Sequence, residues 1–421
     1  MPDRASNEQG VIERGVIERD VIERWSREMD ARGPAGENPV DGFLRTACLS
    51  YTEPAAAGRA ADLLSADPAL ATATAGTLAA CAEADLLAEL LDRDRAAVSR
   101  ETGPHRWPPL LYLCYSRLGV GDPVATMRVL LAAGADPNAG FLWRGQPSPF
   151  TAVTGVLGGG ERDEPPHPDA VPLAGLLLDA GADPNDNQAF YNRQFRADND
   201  HLPPLLGHGA GRPAPSPWRD RLGASYPSPE EMVGEHLRSA AAHGFTERVR
   251  ILLEHGVDPN TRGYHPVLGD QTAYEVAVRN GHPEAAALLE QAGGWSDRLD
   301  EVDRAIGAAL AGGRGGGAPA GHPADLVDRR PDAMRLAAEQ HDRGALERLL
   351  ALGFDVNAAA ADRRTALHEA ALRGDQAMVT WLIEHGADPT LRDRDFGATP
   401  AGWAAYAGHQ ELAAWLEART R

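Results

Sequence analysis

The sequence contains no lysine, so its 41 basic residues are all arginines, and they face 61 acidic residues for a net charge of −20. Binding a phosphate backbone requires a basic footprint, and none is visible, so we expect no nucleic-acid partner. The acidic excess favours solubility and permits a basic protein partner. The absence of lysine, with abundant Ala, Gly, Arg and Pro, points to a GC-rich coding sequence and to a bacterial, actinobacterial source.

Long apolar runs are also missing from the sequence. No run approaches the roughly 20 residues that span a bilayer. The first ten residues, MPDRASNEQG, lack the apolar core of a secretory signal. We therefore expect a cytoplasmic protein.

Cysteine is scarce, and its spacing is informative. Cys48, Cys81 and Cys114 lie 33 residues apart, which predicts one recurring position in a repeat of that length. Equivalent positions in stacked helical repeats lie roughly 10 Å apart, whereas a disulfide needs Cα atoms within about 7 Å. We expect three buried, reduced thiols rather than a disulfide or a metal site.

The first 40 residues differ from the rest of the chain. Val11–Arg14, Val16–Arg19 and Val21–Arg24 are three copies of Val-Ile-Glu-Arg at a period of five. That period turns the apolar pairs around a helix rather than along one face. We predict a flexible tail, with a partner-binding helix as the alternative. The stretch 32–39, rich in Gly and Pro, is predicted to be a linker.

From Asp41 onward one pattern recurs: a short helix rich in Ala and Leu, a second helix ending in two leucines, and a Gly-Ala-Asp-Pro-Asn turn. The leucines are expected to pack within one repeat and against the next. The glycine ends the helix in a left-handed conformation, and Asp-Pro prevents its continuation. The turns lie at Gly134–Asn138, Gly181–Asn185, Gly256–Asn260, Gly353–Asn357 and Gly386–Thr390.

These residues resemble the ankyrin-repeat family. Thr365–Ala371, TALHEAA, is similar to the family's Thr-Pro-Leu-His-Leu-Ala-Ala signature, and Thr399–Ala405 is a looser copy. The resemblance covers about residues 41–421 and weakens toward the N-terminus and in the middle. It implies an all-α solenoid of about eleven helix-turn-helix units with hairpin-like finger loops. It also implies that Thr365 and His368 tie a first helix to neighbouring backbone, which is a structural role.

Departures from the repeat length suggest a division of the chain. An insertion rich in glycine, proline and acidic residues lies at 158–170, and a proline-rich insertion lies at 211–229. Gly312–Gly317 is predicted to be a flexible interruption. The predicted segments are a tail at 1–40, a block of partly degenerate repeats at 41–331, and a block of near-consensus repeats at 332–421.

Patterns that would indicate catalysis or metal binding are weak. Gly155–Gly160 lacks a phosphate-loop lysine and a preceding strand, so a flexible linker is expected. Asp198-Asn199-Asp200-His201 offers metal-binding side chains but is typical of a helix N-cap with an acidic first turn. Glu, Asp and His among the prolines of 161–169 indicate a solvated loop. We expect no enzyme, no cofactor and no metal. A catalytic triad whose residues meet only in the folded protein would leave no pattern in the sequence.

Aromatic residues indicate where a partner binds, because they dominate the energetics of interfaces. Eleven of the 24 Phe, Trp and Tyr residues fall between 107 and 226. Two groups of them follow a Gly-Ala-Asp-Pro-Asn turn, with arginines nearby. Because equivalent fingers of a solenoid stand side by side, we expect their five rings to form one surface patch. The predicted partner-binding residues are Phe141, Trp143, Arg144, Phe190, Tyr191, Arg193 and Phe195.

The pattern favours a monomeric scaffold or regulator that binds another protein through its finger loops and concave helix face. Two alternatives stay open at this point. The central aromatics can pack as core under the inserted loops, and residues 141–230 can hold the site of an enzyme or small-molecule binder. An open surface lined by the aromatics favours protein binding, whereas a deep pocket around them favours the second function.

Overall fold

The computed structural model describes residues 26–27, 36–49, 51, 57–160, 164–263, 268–312 and 323–419. The Val-Ile-Glu-Arg copies at 11–24 and the glycines at 313–317 lie outside these residues. The described chain forms two compact units. The N-terminal unit holds the described residues up to His236 together with 255–257, and the C-terminal unit holds the remainder from Leu237. The segment boundaries predicted at 40/41 and 331/332 stay predictions.

Short helices dominate the N-terminal unit, as the repeat pattern predicts. The last of them, Pro229–Ala242, extends past His236 into the C-terminal unit. The helices are α1 (Pro39–Ala47), α2 (Ala57–Ala66), α3 (Ala75–Ala80), α4 (Ala84–Arg93), α5 (Pro109–Tyr115), α6 (Pro123–Ala132), α7 (Ala152–Leu157), α8 (Ala170–Asp179), α9 (Asn187–Arg193), α10 (Leu202–Gly207), α11 (Pro217–Leu222) and α12 (Pro229–Ala242).

The C-terminal unit continues the succession of short helices, and the predicted all-α fold is confirmed. Across the described residues, every helix is too short or too polar to cross a bilayer. The helices of the C-terminal unit are α13 (Thr246–Glu254), α14 (Ala273–Arg279), α15 (Pro283–Gln291), α16 (Glu301–Leu310), α17 (Pro323–Arg329), α18 (Ala333–Glu339), α19 (Arg343–Ala351), α20 (Ala366–Leu372), α21 (Gln376–Glu384), α22 (Pro400–Tyr406) and α23 (Gln410–Glu417).

A small sheet in the N-terminal unit departs from the helical pattern. Strands β2 (Gly140–Trp143) and β3 (Pro149–Thr151) are antiparallel, with Phe141 opposite Phe150. Strand β1 (Ser26–Arg27) runs parallel to β2 along its other edge. The finger after the first Gly-Ala-Asp-Pro-Asn turn is therefore a true β-hairpin.

The beginning of α20 shows how the repeat signature works. The backbone N–H of Thr365 donates to Nδ1 of His368 at 3.2 Å, and Nε2 of the same ring lies 3.3 Å from the Ala398 carbonyl of the next finger. Burial lowers the pKa of His368, which favours the neutral ring that accepts at one nitrogen and donates at the other. The structural role implied for Thr365 and His368 is confirmed.

The asparagine of the Gly-Ala-Asp-Pro-Asn turn joins one repeat to the next. Asn138 donates through Nδ2 to the Gly181 carbonyl at 3.0 Å, and its Oδ1 accepts from the Asp183 backbone N–H at 2.8 Å. A side-chain amide donates and accepts at once, so one residue fixes the register of two successive turns. Asn260 and Asn357 make the equivalent pairs of bonds. Asn185 also bridges to the following turn, by donating to the Arg212 carbonyl and accepting from the Gly211 backbone N–H.

The two units build their cores from different residues. In the N-terminal unit, neighbouring ring centroids of one aromatic cluster lie 4.9 to 5.7 Å apart. Its members are Trp107, Tyr112, Tyr115, Phe141 and Phe150, all of them buried. In the C-terminal unit the core from Ile306 to Leu416 consists mainly of Ala, Leu, Met and Val.

The cysteines lie where the period predicts. Cys48 and Cys81 directly follow α1 and α3, and Cys114 is in the last turn of α5. All three thiols are free and buried. Burial raises the pKa of each of them, that of Cys81 to about 12. The thiols therefore stay uncharged at neutral pH and react slowly.

Candidate partner-binding surface

The hairpin of β2 and β3 places its aromatic residues on different sides. Phe141 is buried, with its ring stacked on Trp107 at 5.1 Å and on Phe150 at 5.6 Å. Trp143 is partly exposed, and Arg144 is exposed with its guanidinium carbon 4.7 Å from the centre of the Trp143 ring. A cation over an indole face is attracted by the ring quadrupole. The hairpin tip therefore presents a stacked Trp–Arg pair.

A tight turn forms this tip. The Gln146 backbone N–H donates to the Trp143 carbonyl at 3.0 Å. Between them, Arg144 and Gly145 have φ values of +50° and +75°. Positive φ at both central residues is the conformation of a type I′ turn, which matches the twist of a hairpin. The arginine thus holds a backbone conformation that glycine or asparagine normally adopts.

Helix α9 divides the second predicted group between core and surface. Phe190 and Arg193 are buried, and the Phe190 ring lies 5.2 Å from that of His236. Tyr191 is partly exposed, and Phe195, just beyond the helix end, has 38% of its surface exposed. The Tyr191 and Phe195 rings meet edge to face with centroids 5.4 Å apart.

The expectation that five rings form one surface patch is therefore corrected. Strand pairing turns Phe141 toward the core, and the packed side of α9 holds Phe190 and Arg193. These three side chains stabilise the fold and are not accessible to a partner that docks on this surface. The accessible residues of the predicted set are Trp143, Arg144, Tyr191 and Phe195, and their binding role stays a prediction.

Asp186 links the repeat of the hairpin to α9. Its buried carboxylate accepts hydrogen bonds from the Thr151 and Thr154 hydroxyls and caps α9 through a backbone N–H. Burial raises the pKa of Asp186 to about 6, while these hydrogen bonds act in the opposite direction. The adjacent Asn187 donates to Ser148 of the hairpin at 3.0 Å. The hairpin and the start of α9 are thus held together.

Asp198, Asp200 and His201 are the one group of metal-ligating residue types in the described chain whose donor atoms lie within 4.8 Å of one another. The buried guanidinium of Arg193 donates to both carboxylates, and Arg196 donates to Asp198, so arginines of the fold already pair with both acids. The expected N-cap with an acidic first turn is wrong. Helix α10 begins after His201, whose side chain makes no capping bond, and both acids precede the helix.

Polar residues in the described part of the segment after α7 are buried rather than solvated. The Gly159 and Gly160 backbone N–H groups donate to the Glu164 and Asn192 carbonyls at 2.8 and 2.7 Å. Glu164 and His167 are both buried, and burial lowers the pKa of His167 to about 3. The predicted linker and the predicted solvated loop are both wrong for the described residues, because neighbouring repeats pack over them.

A groove of about 220 Å³ opens beside the Pro-rich insertion. Asp183, Arg219, Tyr226, Pro213 and Pro229 are among the residues that line it. Small-molecule sites typically have about 300–1,000 Å³, and the predicted aromatic residues lie outside this lining. The predicted aromatic residues do not line the smaller cavity beside Asp186 either.

Comparison with known proteins identifies the family of the repeats. Residues 334–419 match the family model of ankyrin repeats, in three copies. The chain is 32% identical to the human Notch-regulated ankyrin repeat-containing protein over 85 residues. This match covers 20% of this chain and 74% of the human protein. The chain belongs to the ankyrin-repeat family.

Two longer relatives are matched over smaller shares of their length. The rice (Oryza sativa subsp. japonica) potassium channel AKT3 is 39% identical over 88 residues, which is 21% of this chain and 10% of the channel. The human Ankyrin repeat and SOCS box protein 6 is 28% identical over 178 residues, which is 41% of this chain and 36% of that protein. The chain thus spans a minor part of each of these two proteins.

Ankyrin repeats are generally modules for protein–protein interaction. The predicted partner-binding residues lie between 141 and 195, outside the 334–419 segment that matches the family model. The match to the family model therefore does not cover the candidate surface.

Two exposed aromatic residues of the C-terminal unit, Trp295 and Tyr406, are missing from the predicted set. Trp295 follows two glycines and has 63% of its surface exposed. Its backbone N–H donates to Asn260 Oδ1 at 3.2 Å, the same bond that Asp388 makes to Asn357. The sequence carried a signal for it, since a tryptophan stands where other ankyrin turns of this chain have aspartate.

Proposed function

We propose that this chain is an ankyrin-repeat scaffold or regulator that binds a partner protein through its finger edge. The supporting observation is that aromatic and arginine side chains are exposed at the hairpin finger, in the turn after α15 and in the turn between α9 and α10, where the core does not need them. Phe195 and Trp295 are 38% and 63% exposed, and Arg144 stacks on the partly exposed Trp143. Burying one such ring against a partner is worth about 1.5–3 kcal/mol.

The first helices of the C-terminal repeats offer less to a partner than the fingers do. Arg373 of the α20–α21 turn pairs with Glu339 of α18 at 3.6 Å and with Glu369 of α20 at 2.9 Å. Glu369 also accepts from Arg364 at 2.8 Å. These charges match one another within the fold, so a partner gains little from contacting them. The proposal therefore assigns the main contact to the fingers.

The test compares capture by the full chain with capture by the double variant Trp143→Ala/Phe195→Ala. Truncating an aromatic anchor at an interface centre costs about 2 kcal/mol or more, which is roughly 30-fold in affinity. We expect proteins captured from the native source by the wild type to be lost from this variant, as measured by quantitative mass spectrometry, with little change in Tm.

The matched control is Leu86→Ala/Val171→Ala, which removes apolar residues of similar exposure, 41% and 45%, from α4 and α8. It is expected to capture the same proteins as the wild type. Trp295→Ala tests the C-terminal unit separately. Full capture by both aromatic variants, at unchanged Tm, would contradict the proposed finger surface.

We further propose a cytoplasmic, bacterial and monomeric protein that acts without catalysis, cofactor or nucleic acid. Free buried thiols suit a reducing compartment, and the net charge of −20 disfavours a phosphate backbone. Sedimentation of the purified chain at micromolar concentration tests the monomer, and a concentration-dependent dimer would contradict it.

A further inference from the structure

Five non-glycine residues of the described chain have a left-handed backbone, and three of them are arginines at the tips of finger loops. Arg106, Arg144 and Arg363 have φ values of +53°, +50° and +59°. The other two, Ala82 and His341, lie in turns between paired helices. The left-handed region is unfavourable for any residue with a Cβ atom. Each arginine therefore destabilises its finger relative to glycine.

Glycine would be accommodated at such a tip. Arg363 stands two residues before Thr365, which caps α20. In the next finger Gly397, with φ of +61°, stands two residues before Thr399, which caps α22. A Cβ atom added to Gly397 meets no other atom within 4 Å. Packing therefore does not decide between glycine and arginine at this position.

The fold does not use the guanidinium groups of two of these arginines. Arg106 and Arg363 are exposed, and within the described residues neither guanidinium makes a hydrogen bond or an ion pair. His341, in its own left-handed turn, pairs with Asp375 at 3.0 Å. A strained residue whose side chain lacks an internal partner indicates a role outside the fold.

Two of the tips lie on neighbouring fingers of the N-terminal unit. The turn that contains Arg106 is closed by Thr102 and Trp107, whose backbone groups exchange hydrogen bonds at 3.0 and 3.2 Å. The Trp107 ring stacks on Phe141 of β2 at 5.1 Å. This turn therefore lies beside the hairpin that carries Arg144.

We infer that the Arg106 and Arg144 tips bind a carboxylate-rich segment of the partner protein, an inference that rests on the proposed partner-binding function. Guanidinium groups bind carboxylates through paired, charge-assisted hydrogen bonds. The net charge of −20 does not prevent this contact, because charges beyond about 8 Å are screened at physiological salt.

The test uses the full chain carrying Arg106→Gly and Arg144→Gly together. Fluorescein-labelled octaglutamate is titrated by anisotropy in about 150 mM salt, where charges beyond about 8 Å are screened. The wild type is expected to bind it saturably, and the double variant about tenfold or more weakly. Since glycine relieves the left-handed strain, Tm is expected to stay equal or to rise by up to about 4 °C. Weak binding would then not reflect unfolding.

A charge-matched control removes two arginines from helices instead of fingers. Arg59→Gln and Arg128→Gln together change exposed positions of α2 and α6 and are expected to leave octaglutamate binding within about twofold of the wild type. Gly397→Arg is a gain-of-function counterpart, which is expected to strengthen octaglutamate binding and to lower Tm.

Three outcomes would overturn the inference: no saturable binding of octaglutamate by the wild type, equal weakening in the helix control, or tighter binding of an octathymidylate strand than of octaglutamate. The capture experiment separates this inference from the proposed function. A partner lost from Trp143→Ala/Phe195→Ala but retained by Arg106→Gly/Arg144→Gly would refute the carboxylate inference alone.

Discussion

The C-terminal repeats at 334–419 and the central repeats at 107–193 fill their cores with different side chains. In the first region, small aliphatic residues fill the space between helices. Helix α20 contributes three fully buried alanines, Ala366, Ala370 and Ala371. In the second, Trp107 and Phe141 take part in a cluster of stacked rings. The difference shows that a weak repeat signature does not mean a loose repeat, because large rings replace the packing of alanine and leucine.

Both regions keep the bridging asparagine. Asn138 in the centre and Asn357 in the C-terminal repeats each bond to the two sides of the following turn. The residues that fill the core vary between the regions, whereas the residue that sets the register between repeats does not. Backbone groups at these turns need a partner in every repeat, whichever side chains fill the core.

The largest effect is expected from Trp107→Ala. Removing a buried ring that contacts several others should lower the free energy of unfolding by about 3–5 kcal/mol, measured by urea unfolding with circular dichroism. Leu367→Ala, at a fully packed position of α20, is the counterpart in the C-terminal unit. A smaller loss for Trp107→Ala than for Leu367→Ala would mean that the rings are not the main core of the central repeats.

Acid should weaken the central repeats through His167. Its pKa is about 3 in the folded chain because burial disfavours the charged ring, against about 6.5 when unfolded. A lowered folded pKa gives stability that is complete above pH 6.5 and is lost as pH falls toward 3. Between pH 6.5 and 5 the expected loss is about 2 kcal/mol, measured by urea unfolding at each pH.

The His167→Gln variant isolates this contribution. Asp186 changes the free energy of unfolding in the opposite direction. Because its pKa is raised to about 6 in the folded chain, its stabilising contribution grows as pH falls from 6 toward the unfolded pKa near 3.8. The difference between wild type and His167→Gln removes the Asp186 contribution, which is common to both. An equal pH dependence in the two proteins would show that His167 is not buried in its neutral form.

Removing the bridging asparagine is expected to have a smaller effect on stability, and one of the same size in the two regions. Asn138→Ala and Asn357→Ala each remove two hydrogen bonds between repeats, so each should lower the free energy of unfolding by about 1–2 kcal/mol. Amide exchange of Asp183 and Asp388, whose N–H groups lose their acceptors, should accelerate in the respective variant. A loss confined to one region would show that the bridge is not the common element.

The smallest effect on the folded state is expected from thiol reagents. Cys48, Cys81 and Cys114 are buried with raised pKa values, so labelling at pH 8 should be slow until denaturant is added, and no disulfide should form. Mass spectrometry of intact protein counts the labels. Rapid labelling of all three thiols without denaturant would refute their burial in the repeat core.

Local patterns predicted much of the fold, because each depends on residues close in sequence. The turn at Gly386–Thr390, the cap formed by Thr365 and His368, and the buried cysteines all behave as expected. The candidate surface was predicted less well. Phe141 and Phe190 belong to the core, since hairpin pairing and helix packing, and not position after a turn, decide which way these rings face.

Charged and polar residues were the least predictable. Glu164 and His167 are buried, although the acidic residues and prolines around them indicate a solvated loop. Arg193 is also buried, although it was predicted to contact a partner. Burial of a charged group requires partners that satisfy it, and for Arg193 one of them, the Leu157 carbonyl, is 36 residues away in the sequence. No local pattern contains that information.

The sequence by itself determined the repeat, its helices and the ends of those helices, because hydrophobic periodicity, caps and turns act over a few residues. The tertiary structure alone decided which aromatic rings of the fingers are accessible, which charges are buried, and that arginines hold left-handed tips at Arg106 and Arg144. These properties depend on contacts between residues of different repeats. They are fixed only when the repeats stack and each side chain meets either a neighbour or water.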